Sequence, residues 1–427
     1  MTGWNTASCG AGRFWFPRFN AKDILMIIPD NALDTDPGTA PPQAAAKLAI
    51  LAGGNVLMTL MISSVLPASG AIAQHFSAIG NADLRAQFIL LAPYISFIFA
   101  APFSGVAIQK FGRRGPLLAM FALYVVAGGV ELFINGFWLL ASARVALGVA
   151  GGSITTIVMT LAGDYFTGKK RIWAVTVVGL APAVGAVTVI LISGILVDIG
   201  GWHMAFLPYL ISIPILLGAF FVIQEPEKTA HTQAGAGTLS KSFWGLCLIT
   251  MGVSCFAVTP AVQLPFVMFA IGIHNATPSS IVLTISTAIA VTAATFYPVL
   301  RRLFSVNTIL VLILACGVLC FALLCVAKSI AVVCIALMIG GPPSGLMITH
   351  FSAVTIERVS PEARGRALGL INSSISLGQL LIPFVTQPLR VTLGIQPMFG
   401  VLSVVLLAAG LIAFITPKMK RVAYATN

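Results

Sequence analysis

The stretch "GVAIQKFGRRG", residues 105–115, gathers one lysine and two arginines between two nearly uncharged runs of about twenty residues, the length a helix needs to cross a bilayer. That charge reads as a turn in water between two membrane spans, and the rest of the chain repeats the arrangement. Of 427 residues 58% are apolar and 8% charged, a balance outside the soluble classes. Twelve apolar runs follow one another at approximately 47–67, 88–108, 115–134, 137–160, 173–197, 203–223, 243–272, 279–299, 306–327, 329–352, 366–389 and 397–416. A net charge of +12 would suit nucleic acid in a soluble protein, but 20 of the 24 basic residues fall in alternate loops and the two tails. The intervening loops hold only Arg85, Lys328 and Arg390, and Arg144 lies inside a span. This asymmetry places both termini in the cytosol and argues against a nucleic-acid partner.

The longest polar interruption, "QEPEKTAHTQAGAGTLSK" at 224–241, divides the spans into two sets of six. The expected organisation is a disordered cytosolic tail at 1–46, a six-helix bundle at 47–223, a cytosolic linker at 224–242, a second six-helix bundle at 243–416 and a cytosolic tail at 417–427. No signal peptide is legible before residue 47, and Met26 is an alternative start to Met1. Sliding the halves past each other by about 193 residues brings Ala174 onto Ala367, Gly185 onto Gly378, Gly201 onto Gly394 and Phe206 onto Phe399. A displacement of about 192 brings Gly148 onto Gly340. The shared displacement argues for an internal duplication, an architecture typical of transporters with a solute site between the halves. The fold class is thus an all-α membrane protein, with twelve transmembrane helices in two pseudo-symmetric six-helix bundles.

Gly105, Lys110, Gly112, Arg113 and Arg114 match the loop motif between spans two and three of the major facilitator superfamily, except that Gln109 stands where the motif has aspartate. Arg144 and Gly148 match the R-x-x-x-G of that family's fourth span, and Gly201-Trp202-His203 is similar to the start of its sixth. In span five, Ala181-Pro182-Ala183-Val184-Gly185-Ala186 resembles a worn form of the small-residue motif of its exchangers. The chain after residue 46 therefore resembles a major facilitator transporter, of the drug:proton antiporter type. The resemblance implies that the position of Gln109 braces span two against the C-terminal half. From the residues themselves, Gly105 permits close helix approach, Gly112 a tight turn, and Pro182 with Gly185 a bent and closely crossed span five.

Arg144 is the most informative charge, since an arginine deep in a span costs about 2.5–3.5 kcal/mol and should face protein or water. Polar residues at helical spacing mark further cavity candidates: Asn55, Thr59 and Ser63 in span one; Cys255, Thr259 and Gln263 in span seven; Asn372, Ser376 and Gln379 in span eleven. Interhelical hydrogen bonds are the other use of the same pattern. Pro342 and Pro343 in "GGPPSG" are expected to interrupt span ten, and Pro260 and Pro265 to interrupt span seven, so that both helices bend during gating. His350 reads as a core hydrogen-bonding group rather than a proton relay.

Glu131, Asp164 and Asp198, the carboxylates nearest the spans, lie toward helix ends and are the candidates for binding a coupling proton. A lone Arg144 would repel cations and attract anions unless Glu131 reaches across to pair with it. No nucleophile–base set, phosphate loop or metal-ligand spacing is present, so no enzyme activity, cofactor or metal is expected. The reading is a monomeric secondary transporter in the inner (plasma) membrane. It exports a small neutral amphipathic or monoanionic solute by alternating access, with protons as coupling ion and the lipid bilayer as surroundings. Proton-coupled import of a small organic acid is the alternative, and a non-transporting receptor or scaffold the remote one.

Overall fold

The structure, a computed structural model, describes residues 42–226, 239–360 and 363–415. The expected tails at 1–46 and 417–427 and the linker at 224–242 therefore lie wholly or mostly outside the described residues, as does Met26. Span one is the helix Pro42–Ser63, beginning before the expected residue 47. Span two runs from Ala82–Leu91 into Pro93–Phe111, followed by span three at Arg114–Val130, span four at Phe137–Tyr165 and span five at Gly168–Gly200. Span six joins Trp202–Ile211 to Ser212–Val222, and span seven is Lys241–Ala270. Span eight joins Ala276–Thr295 to Tyr297–Leu303; spans nine and ten are Val306–Cys325 and Ile330–Arg358. Span eleven joins Arg364–Leu380 to Ile382–Leu393, and span twelve is Ile395–Ile415. Among the described residues, 11 helices are long and apolar enough to cross a membrane, and span three, 17 residues, is the shorter twelfth.

The duplication read from the sequence reappears in the packing. Span two crosses span four, and span eight crosses span ten in the same way. A Cβ on Gly148 would lie 2.1 Å from the Pro93 carbonyl oxygen, and one on Gly341 would lie 2.7 Å from the Ser286 carbonyl oxygen. One turn on, Gly152 meets Phe97 and Ala100, while Gly345 would place a Cβ 1.9 Å from the Ala290 carbonyl oxygen. These pairs are related by the displacement that superposes Gly185 on Gly378. Those two glycines in turn let span five approach Val56 of span one and span eleven approach Met251 of span seven. Gly201 and Gly394 both take positive φ, 81° and 88°, where spans five and eleven end. Ala174, Ala367, Phe206 and Phe399 are all buried. In hydrocarbon, where apolar contact alone gives little preference for protein over lipid, such close backbone crossings are what hold helices together.

The prolines act elsewhere than the sequence suggested. Spans seven and ten run as continuous helices through Pro260, Pro265, Pro342 and Pro343. The Ser286 hydroxyl of span eight donates to the Leu337 carbonyl of span ten at 2.9 Å, Ser344 donates to the Gly341 carbonyl at 2.7 Å, and the glycines beside the proline pair seat the helix against span eight. The interruptions fall at Ala92, Phe296 and Leu381, each just before a new segment with proline in its first two positions. There the missing N–H costs least, because the first N–H groups of a helix have no intrahelical partner.

Candidate functional site

Span one ends early, and that ending creates the site of Arg144. Val65 N–H donates to Ile62 rather than to Met61 as the backbone tightens toward Pro67. The Met61 carbonyl oxygen is thereby left inside the protein, where Arg144 Nη1 donates to it at 2.6 Å and the Tyr209 hydroxyl donates at 3.3 Å. Arg144 Nη2 donates to the Tyr209 hydroxyl oxygen at 2.9 Å and lies 3.4 Å from Glu131 Oε2. The guanidinium sits over the rings of Phe206 and Tyr209, 5.2 and 5.4 Å from their centroids. Arg144 and Glu131 both have 0% exposure. Spans one, three, four and six thus meet at one charged node in the N-terminal half. Arg144 is not a lone cation, and Glu131, at the end of span three, is fully buried beside it. The argument for an anionic solute from an isolated positive charge does not hold.

A second cluster joins the two halves at the face opposite the basic loops. Asp83 Oδ2 of span two lies 2.6 Å from Arg390 Nη2 of span eleven. Gln263 Nε2 of span seven donates to Gln87 Oε1 at 3.0 Å and to Thr386 Oγ1 at 2.7 Å. Arg390 also donates to Gln387 Oε1 at 2.9 Å and stacks over Phe266. Nearby, both carboxylate oxygens of Asp198 accept the Ala276 and Thr277 N–H groups, at 2.6 and 2.8 Å. A carboxylate at the end of span five therefore caps the first turn of span eight, where free N–H groups and the helix dipole favour negative charge. Gly194 and Ser280 pack beneath that cap. A small cavity of about 200 Å³, lined by Gln74, Asp198, His274 and Ser279, remains between the halves at this face.

The basic face is arranged differently. Gly112 has φ 77°, and Glu225 at the end of span six accepts from Arg113 N–H and Arg114 N–H at 2.7 and 2.8 Å. Arg113 Nε lies 2.6 Å from Asp164 Oδ2, and Arg114 Nη2 donates to the Phe220 carbonyl at 2.9 Å. The quoted loop is thereby fastened within its own half. A Cβ on Gly112 would meet the Glu225 carboxylate at 2.7 Å. Gly112→Ala should therefore lower stability by about 1–2 kcal/mol, from left-handed strain and the displaced carboxylate. Thermal unfolding in detergent checks this, and Gly105→Ala is the control, because no atom lies within 4 Å of a Cβ at Gly105.

That open space at Gly105 corrects the expectation of a close helix approach there. Gly365 and Gly369 on span eleven also have no atom within 4 Å, and Gln109 and Asn372 are exposed. The contacts between spans two and eleven toward the basic face therefore do not run through these three glycines.

The remaining expected residues divide between packing and cavity. Asn55 is buried, its Nδ2 donating to the Val178 carbonyl at 2.7 Å, while its Oδ1 has no partner among the described residues. Thr59 is half-buried. Ser376 and Gln379 are buried, with Gln379 Oε1 unpartnered among the described residues. Gln263 belongs to the latch. His350 is buried, 3.3 Å from the Tyr297 hydroxyl. Glu225, Asp83, Gln87, Thr386, Arg390 and Tyr209 were not foreseen. Asp83 and Gln87 escaped because span two was expected to begin at residue 88, and Arg390 because span eleven was expected to end at 389.

Residues 51–256 match the profile of the Major Facilitator Superfamily. The chain superposes on the inward-facing, occupied structure of a bacterial homolog of the human lysosomal transporter Spinster, with TM-score 0.72 and 15% identity over 88% of this chain and 97% of that one. The chain has the major facilitator fold, and its residues 51–256 carry that family's profile. The D-xylose-proton symporter shares this fold, at TM-score 0.68 and 15% identity over 87% of this chain and 97% of that one. Among curated proteins, Protein spinster homolog 3 of Danio rerio is 27% identical over 153 residues, covering 35% of this chain and 30% of the relative. The Sphingosine-1-phosphate transporter SPNS2 of Danio rerio is 28% identical over 200 residues, 46% of this chain and 39% of the relative. The Triacylglyceride transporter of Mycobacteroides abscessus is 25% identical over 194 residues, 44% of this chain and 37% of the relative. The chain thus spans less than half the length of these curated relatives. Major facilitator proteins are transporters rather than enzymes, which agrees with the lack of catalytic motifs in the sequence.

Proposed function

We propose that this protein of major facilitator fold is a secondary transporter that exports an amphipathic solute, neutral or monoanionic, by alternating access. The observation that carries the reading is the asymmetry between its ends: polar contacts latch the halves at one face, while toward the other Gly105, Gly365 and Gly369 meet no neighbouring atom and Gln109 and Asn372 are exposed. An interior solute site open to one side alone is the geometry alternating access requires. Pairing of Arg144 with Glu131 moves the balance toward a neutral amphipath. Two relatives whose names refer to sphingosine-1-phosphate and triacylglyceride transport add weight to a solute with a long apolar part. Glu131 is the proton site of this reading, because neither carboxylate oxygen has a hydrogen-bond donor among the described residues. Asp164 and Asp198 are occupied by Arg113 and by the start of span eight, which suits them to gating rather than to carrying protons.

The basic face is the cytosolic one in this reading. Reporter tags at residues 3, 235 and 425 should read cytosolic and one at 275 external; an external signal at 235 reverses the assignment. Transport is tested in proteoliposomes of the full chain with an imposed pH gradient, using fluorescent neutral and anionic amphipaths and ethidium. Gradient-driven movement of the amphipaths is expected. Export of ethidium at equal or higher rate would overturn the solute class, and movement of no probe under any gradient would favour a receptor.

A further inference from the structure

A second cavity lies away from the interface between the halves. It is a groove of about 810 Å³ on the flank of the N-terminal half, walled by spans five and six and floored by Val56 and Leu60 of span one. Its volume falls within the ~300–1,000 Å³ of ordinary ligand pockets. Along span five it runs from Val177 to Leu196, a rise of ~28 Å, nearly the full hydrocarbon thickness. Span eight packs against another face of span five, the one carrying Gly194 and Asp198, so the groove opens away from the interface between the halves. Val184 and Ile192 stand exposed along its lip.

Three features separate this groove from an ordinary lipid-facing helix surface. Its depth comes from small residues: Ala181 lines it, and Gly185 lets span five sit against Val56 so closely that a Cβ there would lie 2.6 Å from the Val56 side chain. Its lining is apolar except for Thr188, whose hydroxyl is already donated to the Val184 carbonyl at 3.0 Å. At its basic-face end stands Lys170, two helical turns before Val177 on the same stripe of span five; it is exposed and without an ion-pair partner among the described residues. A chain lying in this concavity touches protein on three sides, where a convex helix offers one, and dispersion contacts add in proportion.

We propose that the groove between spans five and six holds one acyl chain of an anionic phospholipid, with its phosphate headgroup on Lys170. The site is separate from the transport pathway and survives or fails independently of the solute reading. Lys170 supplies the charge complementarity, and on the basic face it meets the leaflet richest in anionic lipid. A retained chain there would set how closely spans five and six approach.

The full chain, purified in mild detergent and exchanged into nanodiscs of phosphatidylglycerol and phosphatidylcholine, is released for native mass spectrometry. The expected result is one phospholipid retained per chain, with phosphatidylglycerol preferred about fivefold, the effect of one lysine near a charged headgroup. Ala181→Trp and Thr188→Trp each fill the groove and should abolish retention without altering the thermal midpoint. Lys170→Glu, a surface change that leaves packing intact, should erase the preference for phosphatidylglycerol. Retention by the tryptophan variants at the level of the unmodified chain, or no retention above background by the unmodified chain, overturns the site. Equal retention of the two lipids by the unmodified chain overturns the headgroup assignment.

Discussion

Replacing Arg144 with methionine is expected to lower stability by about 3–5 kcal/mol, because Glu131 would be left buried without its counter-charge. The cost has three parts in this node. The carboxylate loses its only described ion pair, the Met61 carbonyl loses the shorter of its two side-chain donors, and the Tyr209 hydroxyl loses its Nη2 donor. Arg144→Lys should fall between, since one ammonium on a flexible stem cannot reproduce a planar fork that spans Met61, Tyr209 and Glu131 at once. Adding Glu131→Gln to Arg144→Met should recover more than half of the loss, as the double change removes the unpaired charge instead of creating it. Equilibrium unfolding in mixed detergent, followed by tryptophan fluorescence, measures all four proteins. If Arg144→Met unfolds with the unmodified midpoint while transport disappears, Arg144 acts on the solute and the node is not a brace.

How much of this was legible before the structure follows from which forces leave a trace in one dimension. Apolar length and the alternation of basic loops expose the spans directly, since a lipid-facing segment must carry apolar side chains and hydrogen-bond its backbone internally. The duplication was visible because Gly185 and Gly378, or Gly201 and Gly394, are required by backbone contact or by positive φ, and such requirements resist replacement. The latch was hidden for the opposite reason. Asp83, Gln87 and Arg390 lie where spans two and eleven become polar, so they read as loop, although the helices continue to Ala82 and Leu393. Gln263 was noticed for its polarity and assigned to a cavity, because polarity on a helix face does not say whether its partner is solute or protein. The prolines misled for a related reason: Pro342 and Pro343 forfeit donors, and only the packing of Gly341 and Gly345 on span eight shows that the helix holds.

Asp83→Asn and Gln109→Asp, at opposite ends of span two, should shift the same equilibrium in the same direction. Asp83 pairs with Arg390 across the closed face, with the aspartate side chain 44% exposed and the arginine 9% exposed. Losing that pair weakens closure there while leaving Gln263, Gln87 and Thr386 bonded, so the latched face should open more often. Gln109 stands exposed at the basic-face end of span two, the span that must meet span eleven when that face closes. An aspartate in its place gains the charge that a hydrogen bond to a helix end rewards, and so stabilises the alternative, closed arrangement of the basic face. Each change is expected to move the population about tenfold, equivalent to about 1.4 kcal/mol. The readout is labelling of Ser279→Cys, in a background without the native cysteines. Ser279 is 2% exposed and lines the small cavity behind the latch, so its reagent access reports opening of that face. Asp83→Arg combined with Arg390→Asp should restore slow labelling, which separates loss of the ion pair from loss of either residue's packing. A merely structural role for the loop at 105–115 predicts no response at Ser279 to a change at residue 109, because nothing but a rigid-body motion of the halves connects the two ends. Unchanged labelling in Gln109→Asp together with faster labelling in Asp83→Asn would confine the gate to the latch and reduce the loop to a fastening of its own half.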